Sequence, residues 1–250
     1  MSFAQPIGEW DVSSSTDMTS MFQYNENFNQ DLSKWNTSNV TNMGAMFRST
    51  NMQHALSSSY QNHPTRGEYI AWDTSNITNL RYTFKGIHDQ ARGGRMTGLS
   101  NWDTSNIDTL TAAFGGMNAA YKKSIFNDDI STKQVTIAAG TPLEKTYNAW
   151  DVSNVILFGS TIAGRFYEGI FFNSDFNQDI SNWQINTGSD INMNGMFSAA
   201  YKFNQPITGS TVTVGSNTYT IENVNTNFSV GPFLLSKVKK YGPYDPADYP

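Results

Sequence analysis

The sequence predicts an α/β repeat solenoid: a right- or left-handed coil with a narrow parallel sheet, short helices and inserted β-hairpins. Three observations point to this fold class. Four of the six tryptophans stand directly before NTSNV, DTSNI or DVSNV. Apolar residues recur at fixed offsets after these phrases, and Trp10 and Trp35 lie 25 residues apart, which defines the shortest unit. Such self-similarity is typical of stacked repeats that share one core.

We predict about seven units, forming a single domain over residues 1–230, followed by an extended C-terminal tail at residues 231–250. The tryptophans that mark the units are Trp10, Trp35, Trp72, Trp102, Trp150 and Trp183. Tyr219 takes the tryptophan position in the last unit, whose decayed phrase is typical of a terminal cap. Longer spacings between tryptophans place insertions near residues 48–65, 86–95, 115–125, 131–149, 163–175 and 208–218.

Each unit is predicted to contain one short strand and one short helix. Residues 30–33 are interpreted as the strand, with Leu32 pointing inward. An i, i+4 apolar pair after a polar cap, as in Met43 and Phe47 after Ser38, indicates one or two helical turns with a buried stripe. The second members of the equivalent pairs are Phe22, Phe84, Phe114, Ile162 and Phe197.

Two insertions are predicted to be β-hairpins. Residues 131–149 contain the turn sequence Gly140-Thr141-Pro142, and residues 208–221 alternate Val with Thr around Gly215-Ser216-Asn217. Both occupy the same position of the unit. We therefore expect them to project from one side of the stack.

Composition excludes several classes of partner. The net charge is −5 and no basic run occurs, which argues against a nucleic-acid partner. The chain contains no cysteine, so the fold needs no disulfide. No apolar stretch is long enough for membrane insertion, and the first residues, MSFAQPIGEW, lack the regions of a signal peptide.

Two columns of repeated side chains allow two interpretations each. The tryptophans are favoured as core residues, with an exposed sugar-stacking stripe as the alternative. Asp73, Asp103 and Asp151 are candidate calcium ligands between neighbouring units. The alternative is an Asx-turn, which the uncharged Asn36 in the same slot favours.

Other candidate sites are few. His54, His63 and His88 lie in insertions without zinc-site spacing, and no catalytic or cofactor-binding motif is found. We therefore predict no enzyme activity, no cofactor and no metal. The tail is either a frayed end or an arm that docks on a neighbouring subunit. The residues of that arm would be Phe233, Leu234, Leu235, Tyr241, Tyr244 and Tyr249.

The repeated phrases resemble those of the BspA-like leucine-rich-repeat surface proteins, and most closely their Asn-rich subfamily. The resemblance is carried by FNQDL at 28–32, NVTNMGAMF at 39–47, WDTSNI at 72–77 and 102–107, and FNQDI at 176–180. It implies a leucine-rich-repeat-like solenoid used in adhesion or recognition, with no catalytic residues. The hairpin insertions, the divergent C-terminus and the missing signal peptide fit a virion or appendage component better than a lipoprotein.

These observations predict a non-enzymatic recognition, adhesion or structural module on a virion, an appendage or a cell surface. Its partner would be a protein or glycan on a host or on a neighbouring subunit, within a homo- or hetero-oligomeric assembly. One alternative is an architectural subunit buried in a larger assembly. Another is a carbohydrate-active enzyme built on a parallel β-helix.

Overall fold

The structure is a computed structural model that describes residues 6–87, 96–117, 123–159, 168–180, 182–185, 192–193, 195–200, 202–203, 211–214 and 217–220. Its strands form three antiparallel two-stranded sheets: β1 with β2, β3 with β4, and β5 with β6. Their bounds are β1 Ser59–His63, β2 Gly67–Ala71, β3 Lys133–Ile137, β4 Lys145–Ala149, β5 Thr211–Val214 and β6 Asn217–Thr220. Most of the described chain consists of turns and irregular segments.

The predicted fold class is wrong in its main elements. The described residues contain no helix, no strand at residues 30–33 and no parallel sheet. Parallel pairing between units is limited to isolated single-residue bridges, such as that between Asp17 and Asn42 and that between Asn42 and Asn79. The observed architecture is a series of turn-rich repeats that carries antiparallel hairpins.

Consecutive turns replace the predicted helix. In the first unit, Met21 N donates to Met18 O and Asn25 N donates to Phe22 O, both across i to i+3. The third residues of these turns, Ser20 and Tyr24, have φ values of 57° and 60°, which a right-handed helix does not allow. Two such turns keep residues i and i+4 on the same side, so the apolar spacing alone does not distinguish them from a helix.

Alternate backbone amides join one repeat to the next. Ser20 N donates to Gly44 O at 2.9 Å, Phe22 N to Met46 O at 2.9 Å, and Tyr24 N to Arg48 O at 2.8 Å. The amides between them close turns within the unit. Every second amide is therefore satisfied by another repeat, which a helix could not provide because its bonds are internal.

The interior consists of stacked aromatic columns. Phe47 stacks on Phe84 with ring centroids 5.8 Å apart, and Phe84 stacks on Phe114 at 5.6 Å. Phe171 continues this column, because it stacks on both Phe114 and Phe197. The sequence prediction had placed Ile162, which lies outside the described residues, at that position. Each stacked pair contributes about 0.5–1.5 kcal/mol beyond its buried area.

The tryptophan column belongs to the core, as predicted. Trp35, Trp72, Trp102 and Trp150 are fully buried and Trp183 is 8% exposed, whereas Trp10 is 53% exposed. Each buried indole N–H donates to a main-chain carbonyl of an earlier unit. The acceptors, in the same order, are the carbonyl oxygens of Ile7, Leu32, Leu56, Leu99 and Ile130.

The phrase DTSN builds the turns and ties them together. Asp73 Oδ1 accepts a hydrogen bond from Ser75 N at 3.2 Å, which is the predicted Asx-turn. Thr74 Oγ1 donates forward to Asp103 O at 2.9 Å, while Asn76 Nδ2 donates back to Ser38 O at 2.7 Å. These residues have structural roles in every unit where the phrase is intact.

Two predicted hairpins are confirmed and a third was missed. β3–β4 lies within residues 131–149, and β5–β6 lies at the second predicted position. β1 lies in the predicted insertion at 48–65, which had no structure assigned, and β2 lies beyond the predicted end of that insertion. Of the other predicted insertions, residues 88–95, 118–122 and 160–167 lie outside the described part of the chain. The division into a repeat domain and a tail stays a prediction.

Candidate recognition surface

The hairpins β1–β2 and β3–β4 dock on the repeats in the same way. Tyr69 Oη donates to the Lys34 carbonyl at 2.8 Å, and Tyr147 Oη donates to the Asn101 carbonyl at 2.5 Å. Lys34 and Asn101 each directly precede the tryptophan of the preceding unit. Tyr147 also packs against the apolar core together with Val135. Each hairpin is thus attached to the preceding unit by an inward tyrosine.

Both hairpins are followed directly by a repeat tryptophan, and the backbone amides of these two tryptophans make equivalent hydrogen bonds. Trp72 N donates to Trp35 O, and Trp150 N donates to Trp102 O. In the units without a hairpin, the tryptophan amide instead closes a turn within its own unit. Trp72 and Trp150 have φ values of 48° and 51°, a strained region for a bulky residue.

Hydroxyl and amide side chains complete this attachment, which we call the hairpin base. Ser58 Oγ donates to Trp72 O and Thr132 Oγ1 donates to Trp150 O, both at 2.7 Å. Asn101 exchanges two hydrogen bonds with the backbone of Ser58. At β3–β4, Asn182 exchanges the same two hydrogen bonds with the backbone of Thr132. The hairpins are therefore held from both neighbouring units.

The outer face of β3–β4 is open and uncharged. Gln134 pairs with Asn148, and Thr136 pairs with Thr146. All four side chains are exposed, and the two threonine hydroxyls lie 2.8 Å apart. This outer hairpin face offers amide and hydroxyl groups that donate and accept hydrogen bonds. On β1–β2 the equivalent region is more closed, because Ile70 is only 5% exposed.

The two hairpin tips differ. β1–β2 closes through residues 64–66, where Arg66 N donates to His63 Nδ1, and Gly67, the first residue of β2, has a φ of 73°. β3–β4 closes through residues 138–144, which are ordered by their own bonds. Gly140 N donates to Glu144 Oε2 at 2.7 Å, and Thr141 N donates to Ala138 O at 3.1 Å.

Charged side chains at the edge of each hairpin form ion pairs with the repeats. Glu9 lies 2.6 Å from Lys34 Nζ and 3.5 Å from Arg66 Nη2, and the hydrogen bond from Lys34 lowers the pKa of Glu9. Lys145 Nζ lies 2.5 Å from Asp73 Oδ2. Burial raises the pKa of Tyr147 to about 12, so its hydroxyl remains a donor at neutral pH.

The predicted calcium ligands do not converge on a common point. Ser75, Ser105 and Ser153 donate their amides to Asp73, Asp103 and Asp151 respectively, and Asp73 is also paired with Lys145. In the part of the chain that the structure describes, no group of three acidic, histidine or cysteine side chains could hold a metal ion. His88 and all six predicted docking residues of the tail lie outside that part.

One family model matches most of the chain. It is described as a Mycoplasma protein of unknown function, DUF285, and it matches residues 1–66, 50–156 and 137–230. The chain belongs to this family. No curated protein and no solved structure matches. Among the described residues, no helix is long and apolar enough to cross a membrane.

The docking tyrosines were missed by the sequence analysis, although a signal for them exists. Both docked hairpins end in Tyr-x-Ala-Trp, at residues 69–72 and 147–150. The phrase places a tyrosine three residues before a repeat tryptophan, and only these two of the six tryptophans have one. In family members with insertions, this pattern would indicate a docked hairpin.

Proposed function

We propose that this chain is a non-enzymatic recognition module of the Asn-rich BspA-like kind, exposed on the surface of a virion, an appendage or a cell. Its hairpins would contact a protein or glycan on a host or on a neighbouring subunit. The observation that carries this proposal is the hairpin base. The same attachment presents two hairpins that differ in tip and outer face, as expected where a constant scaffold carries variable contact residues.

The outer hairpin face of β3–β4 is the best candidate for the contact. Gln134, Thr136, Thr146 and Asn148 are exposed and have no charge to desolvate. Their amides and hydroxyls are suited to sugar hydroxyls or to a peptide backbone. Because the inward residues Val135 and Tyr147 hold the hairpin on the core, the outer residues can be changed without removing its attachment.

A matched pair of double variants tests this proposal. Gln134→Ala with Asn148→Ala removes one cross-strand pair from β3–β4, and Asn62→Ala with Glu68→Ala removes an exposed pair from β1–β2. The labelled chain is applied to a panel of immobilised glycans and extracellular-matrix proteins. We expect the β3–β4 variant to lose about tenfold in affinity for its ligand, which corresponds to about 1.4 kcal/mol.

The control pair is expected to bind within about twofold of the unmodified chain, and both variants should melt at the unmodified temperature. Unchanged affinity of the β3–β4 variant would show that this hairpin does not contact the ligand. If the unmodified chain binds no member of the panel, or converts a glycan into products, the recognition proposal fails.

A further inference from the structure

A cluster of cations surrounds Tyr82 in the turns of the second and third units. The guanidinium carbon of Arg81 lies 4.7 Å from the centroid of the Tyr82 ring, Lys85 Nζ lies 5.0 Å away, and the guanidinium carbon of Arg48 lies 5.2 Å away. Arg48 also lies 5.2 Å from the ring of Tyr24. We call these five residues the cation–tyrosine cluster.

The turns of adjacent repeats bring the cluster together. Arg48 and Lys85 each directly follow a phenylalanine of the stacked column. Tyr24 N donates to Arg48 O at 2.8 Å, and Ser49 N donates to Lys85 O at 2.9 Å. The backbone register between the units therefore fixes which side chains meet. None of these residues belongs to a hairpin.

Positive charge exceeds negative charge in the cluster. Lys85 is buried and its Nζ lies 2.5 Å from Glu168 Oε1. Among the described residues, neither Arg48 nor Arg81 forms an ion pair, and the Nε of each is buried without a hydrogen-bond partner. Burial lowers the pKa of Lys85, and repulsion from both arginines lowers it further. Among the described residues, one acid thus faces three cations, in a chain whose net charge is −5.

Arg66 provides a comparison within the same molecule, because it also contacts a tyrosine ring but lies near a carboxylate. Its guanidinium carbon lies 5.5 Å from the ring of Tyr69, and its Nε is also without a hydrogen-bond partner. Unlike Arg48 and Arg81, it has a described carboxylate at 3.5 Å, that of Glu9. Its Nη1 donates to Trp10 O, and Arg81 Nη2 likewise makes one hydrogen bond, to Tyr82 Oη at 3.2 Å. Within the described ranges, Arg48 and Arg81 have no comparable acid, and this distinguishes the cation–tyrosine cluster from Arg66.

We propose that the cation–tyrosine cluster binds the carboxylate or sulfate groups of an acidic glycan. The guanidinium carbon of Arg48 lies over the rings of both Tyr24 and Tyr82. A guanidinium held by such cation–π contacts can bind oxyanions through its edge in bidentate geometry. Tyr24 as a whole residue is 57% exposed, and its ring provides an apolar face for a sugar ring.

A glycan fits the cluster better than other polyanions. Nucleic acids need many phosphate contacts, and among the described residues the cluster offers two guanidinium groups that form no ion pair. One of them, that of Arg81, donates its Nη2 to Tyr82 Oη at 3.2 Å. An acidic peptide would use the cations and leave the exposed tyrosine ring without a role. The proposal rests on the recognition function proposed above and names the chemical class of one ligand. It uses residues outside the hairpins, so the two proposals can fail separately.

Binding is tested with heparin as the sulfated probe, polygalacturonate as the carboxylated probe, dextran as the neutral probe and poly-L-glutamate as the acidic peptide. Affinities are measured by titration calorimetry at low and high NaCl for the unmodified chain and for Arg48→Gln, Arg81→Gln and Arg66→Gln. Arg66→Gln is the matched control because it removes an arginine that also contacts a tyrosine.

We expect heparin, polygalacturonate or both to bind, with affinity falling as salt rises. Arg48→Gln and Arg81→Gln should each weaken that binding at least about tenfold, and Arg66→Gln should change it less than about twofold. Should Arg48→Gln fail to fold, Arg48→Lys keeps the charge, loses the bidentate geometry and should still weaken binding.

Four results would overturn the proposal. The first three are equal binding by the unmodified chain and both cluster variants, an equal loss in Arg66→Gln, and tighter binding of poly-L-glutamate than of either acidic glycan. Binding of dextran as tight as that of the acidic probes would also overturn it. Loss of ligand binding by the β3–β4 double variant, with heparin or polygalacturonate affinity intact, would separate the hairpin site from this one.

Discussion

The hairpins β1–β2 and β3–β4 are attached to the repeats by the same set of bonds, yet they present different surfaces. Tyr69 and Tyr147 donate to equivalent carbonyls, and Trp72 and Trp150 adopt the same left-handed backbone conformation. Beyond this base, β2 is largely covered at residues 69–71, whereas the outer face of β3–β4 is exposed. Residues that recur in both hairpins are therefore structural, and those that differ are the candidates for contact with a ligand.

The largest expected effect comes from removing the shared tryptophan. Trp72→Ala and Trp150→Ala each delete a fully buried indole and remove its hydrogen bond to the Leu32 or Leu99 carbonyl. We expect each to lower the free energy of unfolding by about 3–5 kcal/mol, measured by chemical denaturation. Trp10→Ala, at a position 53% exposed, is the control and should cost less than about 1 kcal/mol. If the losses in free energy of unfolding differed severalfold between Trp72→Ala and Trp150→Ala, the two tryptophans would not be energetically equivalent.

A second effect is a loss of stability at alkaline pH. Burial raises the pKa of Tyr147 from its ordinary value of 10.0 to about 12. A raised pKa in the folded state means that the contribution of Tyr147 is fully present below pH 10 and is lost as the pH rises toward 12. The ionised oxygen would also lie near the carboxylates of Asp73 and Asp103, which adds repulsion.

Melting temperatures measured from pH 8 to pH 12 test this expectation. The unmodified chain should lose stability more steeply above pH 10 than Tyr147→Phe does. Parallel curves for the two proteins would contradict the assignment of the loss to Tyr147.

A smaller effect is expected from removing the docking hydroxyls at neutral pH. Tyr69→Phe and Tyr147→Phe each keep the ring and remove one hydrogen bond to a main-chain carbonyl. We expect each to cost about 1–2 kcal/mol, because the acceptor is left without its donor. Urea denaturation measures the loss, and Tyr60→Phe, on a partly exposed tyrosine of β1, provides the comparison. Unequal losses of stability in Tyr69→Phe and Tyr147→Phe would show that the two hairpin bases share their geometry but contribute different free energies.

The smallest effect is expected from the charged margin of β3–β4. The Lys145 side chain is 44% exposed and that of Asp73 is 11% exposed, so solvent screens the pair. Lys145→Met should cost about 0–1 kcal/mol, and the cost should shrink in high salt. Lys133→Met, which removes a partly exposed pair with Asp129, is the matched control. A loss above about 2 kcal/mol in Lys145→Met alone would mean that this pair, and not the hairpin base, holds β3–β4.

The candidate surface could be predicted only in part. The Gly-Thr-Pro turn was sufficient to predict β3–β4, and the alternation of Val with Thr to predict β5–β6, because hairpin formation is largely local. Its docking was not predictable in that way, since the Asn101 carbonyl that accepts from Tyr147 is 46 residues away in sequence. The cation–tyrosine cluster is still less accessible to sequence reasoning, because Tyr24, Arg48 and Tyr82 meet only through the register of three units.

The sequence by itself determined which side chains are buried and which close turns. A large group at one position of every unit must be buried for the units to share a core, so the Trp and Phe columns are visible from spacing alone. The Asx-turn at Asp73 is likewise local. Only the tertiary structure decided between a helix and two turns, because apolar residues at i and i+4 suit both. Amides such as Ser20 N, Phe22 N and Tyr24 N have their acceptors in the next repeat, and those bonds replace the ones that a helix would have formed internally.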